Sequence, residues 1–365
     1  MSATPRTTKL GPDQAALRGL LRRLAEETST DAHILSIYAD VRPQAHGERP
    51  AERPQLIALR RRLASIQDSL PAHSIQRASF DEDVNRIEQV LERGDLDGAD
   101  GLAIFACSRI GLWEEVRAAE AFDTQVTTGP TADLFQLARL LDDSVSAVIA
   151  IVDTNTCRLF VTRRGALREL PGPDEPPDEH RRHEQGGWSQ ARYQRHVDMQ
   201  DKRFATEAAA AIQRLVQHER AQHVILAGDE RAIPILEAEL PEPVRAVVDH
   251  VMHLPMRSEP DAIESEVAPI LAALEASDAT DVADRAIAGW LSGGLGVVGI
   301  DDTMNALELG QVDELVLDET ATLDEELRTE LVRQAALTDA AVEVVRDHER
   351  LAQHEGVAAT LRFRI

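Results

Sequence analysis

Lysine is almost missing from this chain of 365 residues: Lys9 and Lys202 are the only two. Positive charge is therefore arginine nearly throughout, and 39 basic side chains face 64 acidic ones, for a formal net charge of −25. Phosphate backbones are repelled by a surface of that sign. Loose, sequence-blind nucleic-acid binding is excluded, and any RNA contact must lie in a patch where the sign reverses. Cysteine is nearly absent too. Cys107 and Cys157 stand far apart inside apolar runs, so they read as buried small hydrophobes rather than a disulfide framework or a metal site. Aromatics make up 3% of the chain, which leaves Leu, Val, Ile and Ala to build the cores. No apolar run approaches a membrane span, and the N-terminus opens without an uninterrupted apolar stretch, so a cytoplasmic protein is expected.

What is present is an ordinary globular composition, 43% apolar, long enough for two or three domains. The spacing of Leu17, Leu20, Leu21 and Leu24 predicts a helix over 12–28, followed by a strand at 33–38. A loop rich in proline and charge covers 41–54. Helices are expected at 55–70 and 83–93, then a buried strand at 101–108, giving an α+β domain over 1–142. Strands at 146–153 and 156–162, joined by a tight turn, open a second domain. A long helix over 190–220 and a strand at 223–227 make it α/β, over 143–260. The third domain, 261–365, is expected to start with two helices, 261–276 and 281–291. It continues with a helix at 301–309, a strand at 314–317, a helix at 323–337, and strands at 341–345 and 358–363.

The stretch richest in chemistry is QGGWSQARYQRH, residues 185–196. Paired glycines, Gly186 and Gly187, let a backbone make approaches that a side chain would block. Around them, residues 180–203 carry six Arg or Lys against three acids, with three histidines, a local reversal of the overall charge. On the helix that follows, Arg192, Arg195, Met199 and Lys202 fall on one stripe, while Val197, Phe204, Ala208, Ala211 and Leu215 face the core. A solvated loop capped by an amphipathic helix is the plain alternative.

This stretch resembles the Gly-Gly-Gln loop of archaeal and eukaryotic class-1 peptide release factors, whose superfamily also holds Pelota. Gly186, Gly187, Ser189, Arg192 and Tyr193 match that pattern in register. Trp188 stands where the family has its catalytic glutamine, and Gln190 is the nearest replacement. Residues 34–40 (ILSIYAD) resemble the family's first strand, 148–160 the opening hairpin of its central domain, and 299–317 and 356–365 parts of its third. The pieces occur in the family's order across the whole chain, as expected for a bacterial branch. The resemblance implies an α+β N-terminal domain, an RNase H-like central domain carrying the Gly-Gly loop, and a C-terminal domain like kink-turn-binding ribosomal proteins. The Asn-Ile-Lys-Ser loop with which the family reads stop codons has no counterpart near 43–57, so decoding is not expected.

The resemblance further implies a factor in the ribosomal A site that hydrolyses peptidyl-tRNA in the peptidyl-transferase centre, as a monomer and without a cofactor or metal. Gly186 and Gly187 would permit the approach and Gln190 would orient water. Arg181, Arg182, Trp188, Ser189, Arg192, Arg195 and Lys202, with Arg60 and Arg61 on the second helix, would contact tRNA or rRNA. The alternative, given Trp188, is a factor that occupies the A site without hydrolysis, in hibernation or the splitting of stalled ribosomes. A metal-dependent nuclease would want carboxylates converging on ions, with Asp153 the first candidate, though a turn role fits it better. Residues 294–299 spell G-x-G-x-x-G but follow a helix, against a dinucleotide site. His180, His183 and His196 lack cysteine partners and a regular frame for zinc. The acidic block 301–330 reads as a solvated face, with a translational GTPase as the sharper alternative.

Overall fold

The computed structural model describes residues 6–10, 14–42, 53–93, 96, 98–140, 146–163, 166–173 and 190–364, with 190–198 as backbone alone. In chain order the first segment holds β1 (Arg6–Lys9), α1 (Gln14–Glu26), β2 (Ile34–Asp40), α2 (Pro54–Ser69), α3 (Ile75–Arg93), β3 (Gly101–Cys107), β4 (Leu112–Ala118), β5 (Gln125–Gly129) and α4 (Phe135–Arg139). Next come β6 (Ala147–Val152), β7 (Cys157–Arg163), β8 (Ala166–Leu170), α5 (Gln190–Glu219), β9 (His223–Gly228), α6 (Ala232–Glu239), α7 (Glu242–Arg245), β10 (Val248–Met252) and α8 (Pro260–Leu291). The last segment adds β11 (Gly296–Val298), α9 (Ile300–Glu308), β12 (Val312–Asp318), α10 (Glu325–Leu337), β13 (Ala341–Val345), α11 (Glu349–Ala352) and β14 (Val357–Leu361). The fold is mixed α/β, and the described residues form three sheets, one in each expected domain segment. Residues Met1–Asp142 and Asp278–Ile365 form one compact unit, and Asp143–Ser277 a second.

Within the first unit, one sheet has the order β1-β4-β3-β2-β5 and the other β11-β14-β12-β13. The two-residue period of a strand decides which side chain meets which core. In β2, Leu35, Ile37 and Ala39 pack with Leu56, Leu59 and Leu63 of α2 and Ile87 and Leu91 of α3. Ile34 and Tyr38 point the other way, into a core lined by Leu17, Leu20, Leu21 and Leu24 of α1. That core continues without a break into Leu315 and Leu317 of β12 and Leu331, Val332 and Ala335 of α10. Val316, between them, faces Ala279, Ala283, Ala286 and Ile287 of α8. The first and last sheets therefore share a core, which is why the two stretches count as one unit.

The second unit's sheet runs β10-β9-β6-β7-β8, with β6, β7 and β8 an antiparallel meander and β9 and β10 parallel to β6. Val148, Ala150 and Val152 of β6 pack under Phe204, Ala208 and Ile212 of α5. Ile149 and Ile151 pack on the other face with Ile263 and Val267 of α8. Helices on both faces make this an α/β layer unit.

Three differences from the sequence expectations have physical causes. Helix α8 is continuous from Pro260 to Leu291, where two helices were expected. The Ser-Asp-Ala-Thr step at 277–280 reads as a break, but the stretch is alanine-rich and buries Ala279, Val282 and Ala283 at once, which favours propagation over a new start. Strand β4 carries no clean apolar alternation because it buries two carboxylates. Glu114 accepts from Thr8 at 2.6 Å, and Glu115 pairs with Arg117 at 2.6 Å. Strand β10 escapes notice because Asp249, His250 and Val251 are all exposed.

Cys107 and Cys157 are both free and buried, as expected, and burial pushes the Cys157 thiol up to about 12. No helix among the described residues is long and apolar enough to cross a membrane.

Candidate functional site

The Gly-Gly stretch leads into α5, whose thirty residues begin at Gln190. Arg181, Arg182, Gly186, Gly187, Trp188 and Ser189, with His180 and His183, lie outside the described residues. Gln190, Arg192 and Arg195 stand on the first turns of α5, described as backbone alone. By helical register, positions 192, 195, 199 and 202 fall along one line of that helix.

Two parts of α5 differ in what surrounds them. From Phe204 onward the helix is anchored: Phe204, Ala205, Ala208, Ala209, Ala211 and Ile212 are buried, and Leu215 packs at the margin. Small side chains at 208, 209 and 211 let the backbone lie close to the sheet, and alanine is the residue that most favours a helix. Before Phe204 the described side chains, apart from the half-buried Asp201, turn outward. Met199 is 68% exposed, and Gln200, Lys202 and Arg203 are exposed as well. At 1.5 Å per residue, Gln190 stands about 20 Å along the helix from Phe204. The helical path thus carries the start of α5 well away from its first anchoring side chain among those described.

Lys202 does not stand alone on this face. Its ammonium lies 3.4 Å from one carboxylate oxygen of Glu239, the last residue of α6. The Thr206 hydroxyl donates to the other oxygen at 3.0 Å. Arg203 pairs with Glu207, one turn along α5, at 3.2 Å. Sequence reading named Lys202 but missed Glu239, because no local spacing links a residue of α5 to one thirty-seven positions later. Helix α6 is brought there by the turn after β9. Gly228 has φ +126°, and a β-carbon at that position would overlap the Val152 carbonyl of the neighbouring strand.

The expected basic contacts on α2 divide similarly. Arg60 is held by Glu88 of α3, with Nε donating to both carboxylate oxygens at 3.1 and 2.8 Å, and its side chain is 26% exposed. Arg61 and Arg62 are exposed. Arg53 is buried and donates to the Val41 carbonyl, closing the two ends of the segment between them. Its guanidinium is a structural tie rather than a surface cation.

Other sequence candidates resolve into structural roles. Asp153 accepts from the backbone N–H groups of Asn155 at 2.8 Å and Thr156 at 2.6 Å, so its carboxylate shapes the β6–β7 turn. No group of three His, Cys, Asp or Glu side chains suited to a metal occurs among the described residues. Of the glycines at 294–299, Gly294 precedes β11, Gly296 opens it, and only Gly299, at φ +82°, stands between that strand and α9. That is not the glycine-rich turn between strand and helix that a dinucleotide site uses. The acidic block is largely tied down. Asp301 and Asp302 lie in the first turn of α9 and Glu325 and Glu326 in that of α10, where the helix dipole favours them. Asp313, Glu314 and Glu319 pair with Arg362, Arg285 and Arg346.

One arginine that the sequence did not single out organises the second unit. Arg158 makes a two-pronged pair with Glu169 at 2.7 and 3.0 Å, and also donates to the carbonyls of Met256 and Ser258. That pairing holds the Glu169 carboxyl below the usual carboxylate range, and it fastens the β7–β8 hairpin to the segment entering α8.

Residues 133–275, less than half of the chain, match the model of a family described as bacterial archaeo-eukaryotic release factor family 10. No curated protein matches the chain. Among solved structures it is similar to an archaeal translation termination factor, aRF1, at 20% identity and a TM-score of 0.28, covering 98% of this chain and 99% of that one. It is similar to Archaeoglobus fulgidus Pelota at 18% identity and a TM-score of 0.36, covering 68% of this chain and 78% of that one. A third likeness is to a model of ribosome-bound archaeal Pelota and ABCE1, at 14% identity and a TM-score of 0.41, covering 100% and 96%.

Proposed function

On the premise that the chain is a relative of the release-factor and Pelota superfamily through residues 133–275, we propose that it is a ribosome-associated factor. In this reading it enters the A site and hydrolyses peptidyl-tRNA, without reading a stop codon. The observation that carries the reading is a register match inside the matched segment: Gly186, Gly187, Ser189, Arg192 and Tyr193 in the family's spacing. It is supported by the site's setting, at the start of a helix of thirty residues whose buried side chains, among those described, begin at Phe204. A site of this kind must reach a crowded RNA centre, and a long helix that carries the loop away from its buried stretch suits that task.

The chemistry is cleavage of the ester between the nascent peptide and the terminal ribose of tRNA. Water attacks the carbonyl carbon, the oxyanion is stabilised, and the ribose oxygen leaves with a proton. Gly186 and Gly187 permit the backbone to approach, and Gln190 orients the water. Arg181, Arg182, Arg192 and Arg195 hold RNA phosphates, with Trp188 and Ser189 against the RNA beside them. Residues 1–142, 143–260 and 261–365 serve as three domains, the central one RNase H-like and the last like kink-turn-binding ribosomal proteins. The factor acts as a monomer, and the acidic C-terminal surface is where a translational GTPase would be met.

The test is release of labelled peptide from stalled ribosome complexes carrying an empty or a stop-codon A site. Wild type is expected to release peptide on both, with Gly187→Ala and Gln190→Ala each lowering the rate at least about tenfold, the scale of losing one positioned polar group. Ribosome binding without release by wild type would favour the second reading, a non-hydrolytic A-site factor. Trp188 in the family's glutamine position is the observation behind that reading. Absence of ribosome binding would overturn both.

A further inference from the structure

We propose that Glu239 is a place-holder for an RNA phosphate: it holds Lys202 in the free protein and yields it when RNA binds along α5. The inference rests on the reading of α5 as the RNA-facing helix and adds how its cation is regulated. Three features support it. First, the two carboxylate oxygens serve different partners: Lys202 on one, and on the other the Thr206 hydroxyl, whose proton is shared with the Lys202 backbone carbonyl at 2.9 Å. The lysine can leave while threonine keeps the carboxylate in place. Second, the two sides of the pair are unequally buried. The Glu239 side chain is 21% exposed and the Lys202 side chain 68%. The acid is seated against α5, while the ammonium sits on a flexible stem in water and can swing away. Third, Glu239 is the last residue of α6, where the negative end of the helix dipole disfavours a carboxylate. Lys202 offsets that local repulsion in the free protein.

The exchange is cheap in energy. An exposed ion pair contributes little, whereas a lysine moving onto a phosphate also releases a condensed counterion. The neighbouring Arg203 pairs with Glu207 one turn along the same helix, an exposed pair that opens as readily. In a chain of net charge −25, the carboxylates paired with Lys202 and Arg203 keep these two cations from binding stray polyanions. Only a partner that presents several phosphates in the right line would displace them.

The experiment is the affinity of the full chain for purified vacant ribosomes, over a series of potassium chloride concentrations, with circular dichroism to verify folding. Glu239→Gln, which keeps an acceptor for Thr206, is expected to tighten binding about threefold. Lys202→Gln is expected to weaken binding by a similar factor and to make the salt dependence shallower by about one unit of slope. In the double variant the gain from Glu239→Gln should vanish, because no ammonium remains to be withheld. An unchanged or weaker affinity of Glu239→Gln overturns the exchange. So does an equal gain with and without Lys202, which would mark a general charge effect. Failure of wild type to bind ribosomes overturns the functional reading itself, whereas wild-type binding with indifferent variants overturns only the exchange.

Discussion

Arg60 of α2 and Lys202 of α5 are both cations expected to touch RNA, and both are paired with a carboxylate from the next helix along the chain. The geometry separates them. Arg60 lies between two helices, 26% exposed, with one N–H shared between both oxygens of Glu88. Lys202 is 68% exposed and meets a single oxygen of Glu239 at 3.4 Å. A guanidinium spans a carboxylate in a fixed plane, whereas an ammonium on a four-carbon stem does not. The first pair belongs to the α2–α3 packing. The second can open without disturbing what lies beneath. A positive side chain in a motif-like run is therefore a poor guide to binding until its partner and its burial are known.

The largest effect is expected beneath α5. Ile212 is fully buried under β6, and Ile212→Ala should cost about 2–5 kcal/mol in chemical denaturation. Met199→Ala, on the outward part of the same helix, should stay within about 0.5 kcal/mol. Equal losses would mean that the outer turns of α5 are packed after all.

The α2–α3 region should also reveal itself through pH. Asp83 of α3 is 2% exposed and accepts from the Ser108 backbone and hydroxyl. Burial, the larger effect, raises its carboxyl to about 6 despite those bonds. An acid whose pKa rises on folding favours the fold while protonated. Its contribution is full below the unfolded value near 3.8 and is lost as pH rises through about 6. Wild-type thermal stability should therefore decline across that window more steeply than that of Asp83→Asn. Parallel profiles would contradict this assignment.

Smaller effects discriminate the two pairs themselves. Arg60→Ala should lower stability by about 1 kcal/mol and leave ribosome affinity unchanged. Lys202→Gln should do the reverse, with stability within about 0.5 kcal/mol. A loss of affinity for Arg60→Ala larger than that for Lys202→Gln would reverse the roles given to them.

Much of the fold was legible because a local rule governed it. The leucine stripe of α1, the apolar runs of β2, β3, β6 and β9, and the alanine-rich face of α5 all follow from side-chain period and propensity. What escaped was structure stabilised by partners far along the chain. The carboxylates of β4 are tolerated because Thr8, Arg23 and Arg117 meet them. The continuity of α8 depends on surfaces supplied elsewhere. The Gly-Gly stretch and its register were legible as a pattern, and the partners of Lys202 and Arg60 were not.

The sequence alone made legible the class of fold, the order of the segments, the buried state of both cysteines, and a basic stretch beside the paired glycines of an acidic chain. Those are local quantities: the period of apolar residues, the sum of charges, the absence of a donor type. Tertiary contacts alone revealed that the first and last sheets share a core, that Arg53 meets the Val41 carbonyl, that Arg60 pairs with Glu88, and that Lys202 is held by Glu239. Each of these depends on which groups chain folding brings within a few ångströms, and electrostatic and packing energies are set at that distance rather than by separation along the chain.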